Sequence, residues 1–424
     1  MRIRRTIPPA AAPLGPKSLL HGFAGLFSPD VYIRRLEGEL RSYFGVRHVF
    51  LVSSGRAALT LILMALKKFS PGRDEVLIPA YTCYTVAFAV AAAGLKVSLC
   101  DIDRETLAFQ PGQLEKAINE KTLCVVPTYL FGIPSDIGWL KEIAAGRNVF
   151  VVEDAAQAMG GKHNGELLGT IGDAGFFSLG RGKNITCGTG GIVVTNSDGI
   201  AGAINEQYGT IEKPPAKENA KEFAKSVALA IFNHPSLYWL PSGMSSLKLG
   251  QTASGDFHFP VKKLSGMQAG LLRGWQRRLE DYNRARRENA DYFLEKLGLD
   301  RSGGRIPFLR LPLLTEDRET RDRLHRTAVE KRLGISTMYA VPVNEFGGLS
   351  GSFDGSSYTV AKEVSTKLLC LPTHIFLNGR DRRNIVSLLD ERRLGIAVPA
   401  SGTTGRHRES PGPRSDKTGP GQGG

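Results

Sequence analysis

The sequence predicts an α/β protein in which a mainly parallel sheet is covered by helices on both faces, with a smaller α/β domain towards the C-terminus. Three observations support this prediction. Strand and helix patterns alternate through the first part of the chain, a long helical pattern follows, and shorter strand and helix patterns come after it. With 424 residues, the chain is long enough for two domains and a large buried core.

The alternation begins at Arg47 and ends at Asp154, where short apolar runs of strand length alternate with longer runs of helical period. The predicted strands are RHVFLVSSG, DEVLIPA, KVSLCDID, TLCVVPTYL and NVFVVED, and the predicted helices are RAALTLILMALKKF, YTVAFAVAAAG and DIGWLKEIAAG. Because helices that connect parallel strands lie on the sheet faces, we expect ligands to bind at the carboxyl ends of these strands.

The second half of the chain is less regular. Residues 205–262 are rich in Lys, Pro, Ser and Gly, and we expect an irregular segment there. One long helix is predicted from Ser265 to Gly298, and mixed strand and helix patterns follow it. We therefore divide the chain into an N-terminal arm (1–28), a large domain including the irregular segment (29–255), a small domain (256–398) and a disordered tail (399–424).

Composition narrows the classes of ligand. The net charge of +14 suits an anionic ligand, and no nucleic-acid-binding motif accompanies it, so we expect a phosphorylated small molecule and no nucleic acid. The five cysteines are odd in number and form no Cys-x-x-Cys pair, which is typical of a reducing cytoplasm. The histidines lack metal-ligand spacing, and the basic N-terminus is not followed by the apolar run of a signal peptide. We therefore expect a cytoplasmic protein without a metal site.

Two stretches at the ends of predicted strands carry candidate ligand-binding residues. Ser54, Gly55 and Arg56 stand between a strand and a helix, where N–H groups and the helix dipole favour a phosphate, although an ordinary serine-capped turn has the same pattern. Asp154 follows an apolar strand and has no lysine or arginine within six residues before it or seven after it. Its partner would be either a bound cationic heterocycle or a distant arginine.

A third stretch, FFSLGRGKNITCGTGG, sets Lys183 among glycines. A lysine in such a loop is solvated, holds a phosphate or, in a desolvated site, acts as a covalent catalyst. Together with the turn at Ser54 and the carboxylate of Asp154, it meets three needs of pyridoxal phosphate (PLP). These are an anchor for the phosphate, a partner for the protonated ring nitrogen and an amine for the aldehyde. The combined pattern therefore predicts a PLP site.

The same stretches resemble the DegT/StrS family of PLP-dependent aminotransferases, which share the aspartate aminotransferase fold (PLP fold type I). The resemblance covers most of residues 30–395. It rests on LEGELRSYFGVRHVFLVSSGRAAL, DEVLIPAYTCYTVAFAVAAAGLKVSLCDID, VVEDAAQA, GTIGDAGFFSLGRGKNITCGTGGIVVTN and KLSGMQAGLLRGWQRRLEDYNRARRENADYF. It implies an enzyme that moves an amino group from a donor, glutamate, to a nucleotide-linked keto sugar, for polysaccharide or secondary-metabolite biosynthesis.

The resemblance also implies roles for single residues. Lys183 would bind the cofactor covalently and then move a proton, and Asp154 would pair with the ring nitrogen. Gln157 would face the ring hydroxyl. The other implied cofactor-binding residues are Ser178, Ser54, Gly55 and Arg56 at the phosphate, Tyr81 or Tyr84 stacked on the ring, and Lys263 as a further phosphate ligand.

The sequence departs from the family pattern at four places. Arg56 stands where the family often has threonine or serine, and an arginine there would bind phosphate directly or point towards the substrate. Cys83 stands where many relatives have an aromatic residue, and Thr189 stands where the family has a glutamate. Val261-Lys262-Lys263 replaces an Asn-Tyr-Arg run that, in relatives, reaches across a dimer to the neighbouring site. The resemblance therefore implies a homodimer, and the departures leave the cofactor chemistry intact and the keto substrate open.

Two alternative functions remain at this point. One is a PLP-dependent lyase or dehydratase, although sugar dehydratases of the family carry histidine at the position of Lys183. The other is a regulatory relative without catalysis, against which the presence of Lys183 and Asp154 argues. Separately, KEFAKSVALAIFNHPSLYWLPSG (221–243) has lysines beside apolar residues, which indicates a lid, a dimer contact or peripheral docking on a membrane.

Overall fold

The computed structural model of the protein describes residues 5–242, 259–299, 306–347 and 357–390 and the single positions 349, 353 and 398. The strands are β1 (His48–Val52), β2 (Glu75–Pro79), β3 (Lys96–Cys100), β4 (Thr122–Val125), β5 (Phe150–Asp154), β6 (Lys162–His163), β7 (Glu166–Leu167), β8 (Ala174–Ser178), β9 (Gly191–Thr195), β10 (Arg310–Leu314) and β11 (Leu368–Pro372). The helices are α1 (Pro16–Ala24), α2 (Pro29–Phe44), α3 (Gly55–Phe69), α4 (Tyr84–Ala92), α5 (Pro111–Ala117), α6 (Ile137–Ala145), α7 (Asp198–Thr210), α8 (Ala216–Phe232), α9 (Trp239–Ser242), α10 (Gly266–Leu271), α11 (Trp275–Lys296), α12 (Arg318–Glu330), α13 (Thr359–Lys367) and α14 (Gly379–Asp390).

Seven strands form one sheet in the order β1–β9–β8–β5–β4–β2–β3. The pairs from β8 to β3 are all parallel, whereas β9 is antiparallel to both β1 and β8. Successive residues of a strand point to opposite faces, so Val76 and Ile78 pack with α3 and α4 while Leu77 packs with α2 and α6 on the other face. The predicted fold class, a mainly parallel sheet covered by helices on both faces, is confirmed.

The C-terminal part contains a smaller sheet of β10 and β11, which pair antiparallel from Arg310↔Pro372 to Leu314↔Leu368. Helix α11 leads towards it and packs against α14, and α12 packs against β11, α13 and α14. This arrangement agrees with a small α/β domain reached through a long helix. The boundaries at 29–255 and 256–398 stay a prediction, and the predicted tail at 399–424 lies outside the described residues.

The prediction of an irregular segment at 205–262 was wrong over much of its length. The end of α7, the whole of α8 and α9 lie within it. Helix α8 has the sequence AKENAKEFAKSVALAIF, whose alanines, lysines and glutamates are strong helix formers. Pro215 precedes α8 as its N-cap residue, so the proline marks a helix start there.

The single long helix predicted from Ser265 to Gly298 is two helices. Helix α10 ends at Leu271, and α11 begins at Trp275. Between them Gly274 adopts a φ of +69°, a left-handed conformation that glycine accepts readily and that interrupts the helix. The chain therefore changes direction before the long helix.

The predicted N-terminal arm consists of an extended segment followed by α1. Its extended part packs on the C-terminal part of the chain, where the N–H of Ile7 donates to the carbonyl oxygen of Arg332 (3.1 Å). Arg5 forms an ion pair with Asp381, with 2.8 Å between Nη2 and Oδ2. The arm thus connects the two ends of the described chain.

None of the described helices is long and apolar enough to cross a bilayer. The described residues also contain no group of three or more His, Cys, Asp and Glu side chains arranged to hold a metal ion.

Candidate active site

A cavity of about 180 Å³ lies at the carboxyl ends of β1, β5 and β8. Strand β1 runs in the same direction as β8, because both are antiparallel to β9, and β5 is parallel to β8. The three carboxyl ends therefore meet at one edge of the sheet. The lining includes seven residues predicted from the sequence: Ser54, Gly55, Arg56, Asp154, Gln157, Ser178 and Lys183.

One end of the cavity is built from the start of α3. Ser54 is its N-cap residue, and its Oγ accepts a hydrogen bond from the N–H of Ala57 (3.1 Å). Ser178, the last residue of β8, lies so close that a Cβ at Gly55 would be 3.0 Å from its Cβ. The N–H groups of a helical first turn and two serine hydroxyls therefore point towards one small space, which suits a phosphate group.

The lining of the cavity also includes a buried carboxylate. Asp154 is the last residue of β5 and only 4% exposed. Burial raises its pKa to about 6. Two groups act in the other direction and lower the pKa: the N–H of Ala156, which donates to Oδ1 (3.0 Å), and the charge of Lys183. A carboxylate kept out of water in this way is stabilised by a cationic group, such as the protonated nitrogen of a heterocyclic ligand.

Lys183 enters the cavity from the loop between β8 and β9. Burial lowers the pKa of its ammonium, while the nearby Cys83 and Asp154 raise it. Arg286 of α11 fixes the loop from behind, since its Nη2 donates to the carbonyl oxygens of Lys183 (3.3 Å) and Asn184 (3.0 Å). A desolvated lysine at a fixed position is the form in which this side chain acts as a nucleophile.

The two tyrosines proposed to stack on the ring lie outside the lining of the cavity. The hydroxyl of Tyr81 donates to the carbonyl oxygen of Met338 (2.7 Å), and the ring of Tyr84 stacks on Phe346 with 4.0 Å between centroids. Both side chains thus contact the segment after residue 337 and not the cavity. Cys83 lines the cavity in their place.

Gln157 reaches the cavity with its amide already bonded at both ends. Its Oε1 accepts from the N–H of Phe131 (3.1 Å), and its Nε2 lies 3.2 Å from the hydroxyl of Tyr339. Tyr339 is buried and has a φ of +45°, which is strained for an aromatic residue. No sequence pattern pointed to Tyr339, which comes from a segment distant in sequence.

Glu153 and Arg286 were also missed, and both position the site residues without lining the cavity. Glu153 precedes Asp154 and is fully buried, where its carboxylate accepts from the N–H groups of Gly169 (2.9 Å), Ile171 (2.6 Å) and Gly172 (2.6 Å). It also accepts from the hydroxyl of Tyr129. A buried acid needs such donors, so the Glu-Asp pair was a signal that could have identified this anchor.

Lys263 lies in a neighbouring cavity of about 210 Å³ that shares Ser54 and Arg56 with the first. Its Nζ lies over the ring of Tyr208, 4.8 Å from the centroid. Thr189 lines the same cavity, and Gln268 donates to its carbonyl oxygen (2.8 Å) and its hydroxyl (2.9 Å). Within one copy of the chain, Lys263 therefore stands beside the cofactor-sized cavity and not in it.

Known proteins share both sequence and fold with this chain. GDP-perosamine synthase of Escherichia coli O157:H7 is 38% identical over 165 residues, which are 39% of this chain and 45% of the synthase. UDP-N-acetyl-3-dehydro-alpha-D-glucosamine 3-aminotransferase of Acidithiobacillus ferrooxidans is 32% identical over 269 residues, which are 63% of this chain and 62% of that protein. The matched region thus spans less than two thirds of either relative.

A solved structure gives the same fold. The E. coli GDP-4-keto-6-deoxy-D-mannose-3-dehydratase with bound hydrated PLP superposes with a TM-score of 0.69 at 20% identity, over 91% of this chain and 99% of that one. The predicted fold is confirmed, and the predicted cofactor agrees with the PLP bound in that structure.

The sequence match extends over both parts of the molecule. A profile of the DegT/DnrJ/EryC1/StrS aminotransferase family fits residues 24–390, from the end of α1 to the end of α14. The protein belongs to the DegT/DnrJ/EryC1/StrS aminotransferase family.

Proposed function

We propose that this protein is a PLP-dependent aminotransferase that moves an amino group from an amino-acid donor, glutamate, to a nucleotide-linked keto sugar. One observation carries the proposal. Lys183 and Asp154 line the same small cavity, and the start of α3 and Ser178 line it as well. The residues present therefore fit the three ends of PLP: its aldehyde, its ring nitrogen and its phosphate. The names of the two curated relatives support a sugar substrate.

PLP supplies an electron sink that stabilises negative charge at the substrate carbon next to the amino group. The chain supplies the rest. Asp154 would hold a proton on the ring nitrogen, because an ionised carboxylate in a desolvated site favours the charged form of its partner. Lys183 would bind the cofactor covalently, and its free amine would serve as a general base that moves a proton. The start of α3 and Ser178 would hold the phosphate.

The reaction can be tested in two halves. Protein loaded with PLP should form 2-oxoglutarate from L-glutamate, in an amount equal to the bound cofactor, and its visible absorption band should disappear. Protein loaded with pyridoxamine phosphate should regain that band when a keto sugar nucleotide is added. Absence of 2-oxoglutarate with every amino donor would contradict an aminotransferase.

The same assay separates the alternatives. Release of ammonia or water without a transferred amino group would indicate a lyase or dehydratase. Binding of PLP without turnover on any donor would indicate a regulatory relative. Lys183 lines the cavity, which argues against a dehydratase of the histidine-bearing type and against a regulatory relative, and the assay separates the aminotransferase from other lyases.

We also propose that the protein is a homodimer in which Lys263 serves the cofactor site of a second copy. The resemblance supports this proposal, because Val261-Lys262-Lys263 replaces a run that reaches across the dimer in relatives; within one copy Lys263 lies beside the cavity and not in it. A cytoplasmic location and a role in polysaccharide or secondary-metabolite biosynthesis belong to the same proposal, and the five free thiols support the former. Light scattering of the purified protein should give twice the mass of the chain.

A further inference from the structure

Two strained residues hold the side-chain amide of Gln157, which lines the cofactor-sized cavity. Phe131 has a φ of +59° and Tyr339 a φ of +45°, in the left-handed region that aromatic residues rarely adopt. Within the described parts of the chain, these are the two aromatic residues with a positive φ. Such strain persists only where the surrounding structure holds it, and it is concentrated at functional sites. Their shared contact with one amide therefore points to a function for that amide.

The two contacts determine which end of the amide faces which neighbour. The N–H of Phe131 donates to Oε1 of Gln157 (3.1 Å), so the atom on that side must be the oxygen. The nitrogen Nε2 therefore faces Tyr339 and donates to its hydroxyl (3.2 Å). An amide nitrogen has two hydrogens, so Nε2 can also donate to an acceptor in the cavity that Gln157 lines.

Tyr339 is held in place by the two tyrosines that the sequence assigned to the cofactor ring. The hydroxyl of Tyr81 donates to the carbonyl oxygen of Met338 (2.7 Å), and that of Tyr84 donates to the carbonyl oxygen of Val341 (2.8 Å). Their rings meet the ring of Tyr339 edge to face, with 5.7 and 5.8 Å between centroids. All three tyrosines are buried. The backbone on both sides of Tyr339 is thus fixed against the loop that leads into α4.

The hydroxyl of Tyr339 serves as a hydrogen-bonding group and not as a base. Burial, together with the nearby thiol of Cys83, raises the pKa of Tyr339 well above its usual range. The hydroxyl therefore keeps its proton at neutral pH, and its oxygen accepts from Gln157 as a neutral group. Tyr339 thus contacts two residues of the lining, Cys83 and Gln157.

We propose that Tyr339 is a positioning residue of the cofactor site, which holds the amide of Gln157 so that it donates to the ring oxygen of PLP. The inference rests on the proposed function. In PLP the ring hydroxyl lies next to the aldehyde and away from the phosphate. Once Lys183 takes the aldehyde and the two serines take the phosphate, Gln157 is a donor in the lining for that hydroxyl, which is also the role that the resemblance implies. Without the Tyr339 hydroxyl, Nε2 loses an acceptor, and the amide is no longer held in this orientation.

Equilibrium dialysis of the full chain tests the proposal with two ligands, PLP and 3-deoxypyridoxal phosphate, which lacks the ring hydroxyl. Tyr339→Phe keeps the ring and should lower the affinity for PLP by about tenfold. Its affinity for the analogue should stay within about twofold of the wild-type value, since the analogue offers no oxygen to Gln157. Tyr282→Phe on α11 is the matched control. It removes a hydroxyl that donates to the carbonyl oxygen of Pro13 (2.7 Å) from another buried tyrosine, and both affinities should stay unchanged.

A double-mutant cycle shows whether Tyr339 acts through Gln157. Gln157→Leu should weaken PLP binding by about tenfold or more, and Tyr339→Phe added to it should have little further effect. The visible absorption of bound PLP gives a second readout. Because the amide stabilises the ionised ring oxygen, Tyr339→Phe should raise the pKa at which this absorption titrates, and Tyr282→Phe should not.

Tyr84→Phe tests the same contact by a second route if circular dichroism shows that Tyr339→Phe does not fold. It removes the hydroxyl that holds Val341 and should lower PLP affinity by about threefold, with the affinity for the analogue unchanged.

Three outcomes would overturn the inference. One is wild-type affinity for PLP in Tyr339→Phe. Another is equal loss of affinity for PLP and for the analogue, which would show a general effect on packing. The third is additive losses in the double variant. Each of these leaves the proposed function standing, whereas a wild-type protein that binds no PLP would contradict both.

Discussion

At the scale of the residue, the site depends on Asp154 and Lys183. Burial shifts the pKa values of these two side chains in opposite directions. Burial raises the pKa of Asp154 to about 6 and lowers the pKa of Lys183. Each charged form is therefore costly without its partner, and a ligand with a cationic ring and an aldehyde satisfies both. This is the physical reason to read the pair as a cofactor site and not as a structural ion pair.

Asp154 should make PLP binding depend on pH. As pH falls below about 6, the carboxyl takes up a proton in the free protein and can no longer stabilise a protonated ring, so the affinity for PLP should fall. In Asp154→Asn the affinity at pH 7.5 should be more than about tenfold lower. Equilibrium dialysis of PLP between pH 5 and pH 8 measures both effects.

The phosphate of PLP also titrates in this range, so the variant is the control. The wild-type protein should lose affinity more steeply than Asp154→Asn as the pH falls. Parallel profiles for the two proteins would show that Asp154 does not face the ring.

Arg286 acts on the site through the loop that carries Lys183, although it lies 103 residues later in the chain. It is buried and donates to the carbonyl oxygens of Lys183 and Asn184. Arg286→Met would leave three acceptors without this donor, namely the carbonyl oxygens of Lys183 and Asn184 and Oδ1 of Asn283. Each acceptor that is buried costs about 1–3 kcal/mol when unpaired, and the loop that carries Lys183 would be released. We expect PLP affinity to fall by about tenfold, measured by dialysis. Arg284→Met on the exposed side of α11 is the control, and equal affinity of the two variants would refute this role.

At the scale of the element, the turn before α3 lies very close to the first residue of β9. A Cβ at Gly191, the first residue of β9, would lie 2.2 Å from the carbonyl oxygen of Ser54. No side chain fits there unless β9 moves away from the turn. The glycine at the end of the loop after Lys183 therefore also has a structural role, because it allows the backbone of β9 to pack against the turn at Ser54, which lines the cavity.

Gly191→Ala should lower stability by about 1–3 kcal/mol through overpacking and should weaken PLP binding. Gly202→Ala on α7 meets no atom within 4 Å and should stabilise the helix by about 1 kcal/mol. Thermal unfolding of both variants, with and without PLP, measures these effects. A Gly191→Ala protein with unchanged Tm and PLP affinity would show that the contact is not tight in solution.

At the scale of the whole molecule, the sequence predicted the layers of the fold, and seven of the residues that it singled out line one cavity. Each of the strands from β1 to β5 was recognisable in the sequence as a short apolar run. The shared direction of β1, β5 and β8 brings Ser54, Asp154 and Lys183 to one edge of the sheet. The break at Gly274 was missed because helical residues flank it on both sides. Helix α8 was missed because the two prolines before it and its own lysines were read as features of a loop.

The remaining differences come from contacts between segments far apart in sequence. Tyr81 and Tyr84 were assigned to the ring because they flank Cys83, but their hydroxyls bond to backbone of residues 338 and 341. Tyr339 and Arg286 reach the site from the C-terminal half. Such contacts depend on how the two sheets are placed together, which no local pattern encodes.

The central claim is that Lys183 holds PLP covalently. Protein incubated with PLP can be reduced with sodium borohydride, digested and analysed by mass spectrometry to find the lysine that carries the phosphopyridoxyl group. The account predicts one label per chain, on Lys183, and no label at any single site in Lys183→Ala. A label chiefly on another lysine, or an unlabelled Lys183, would contradict it.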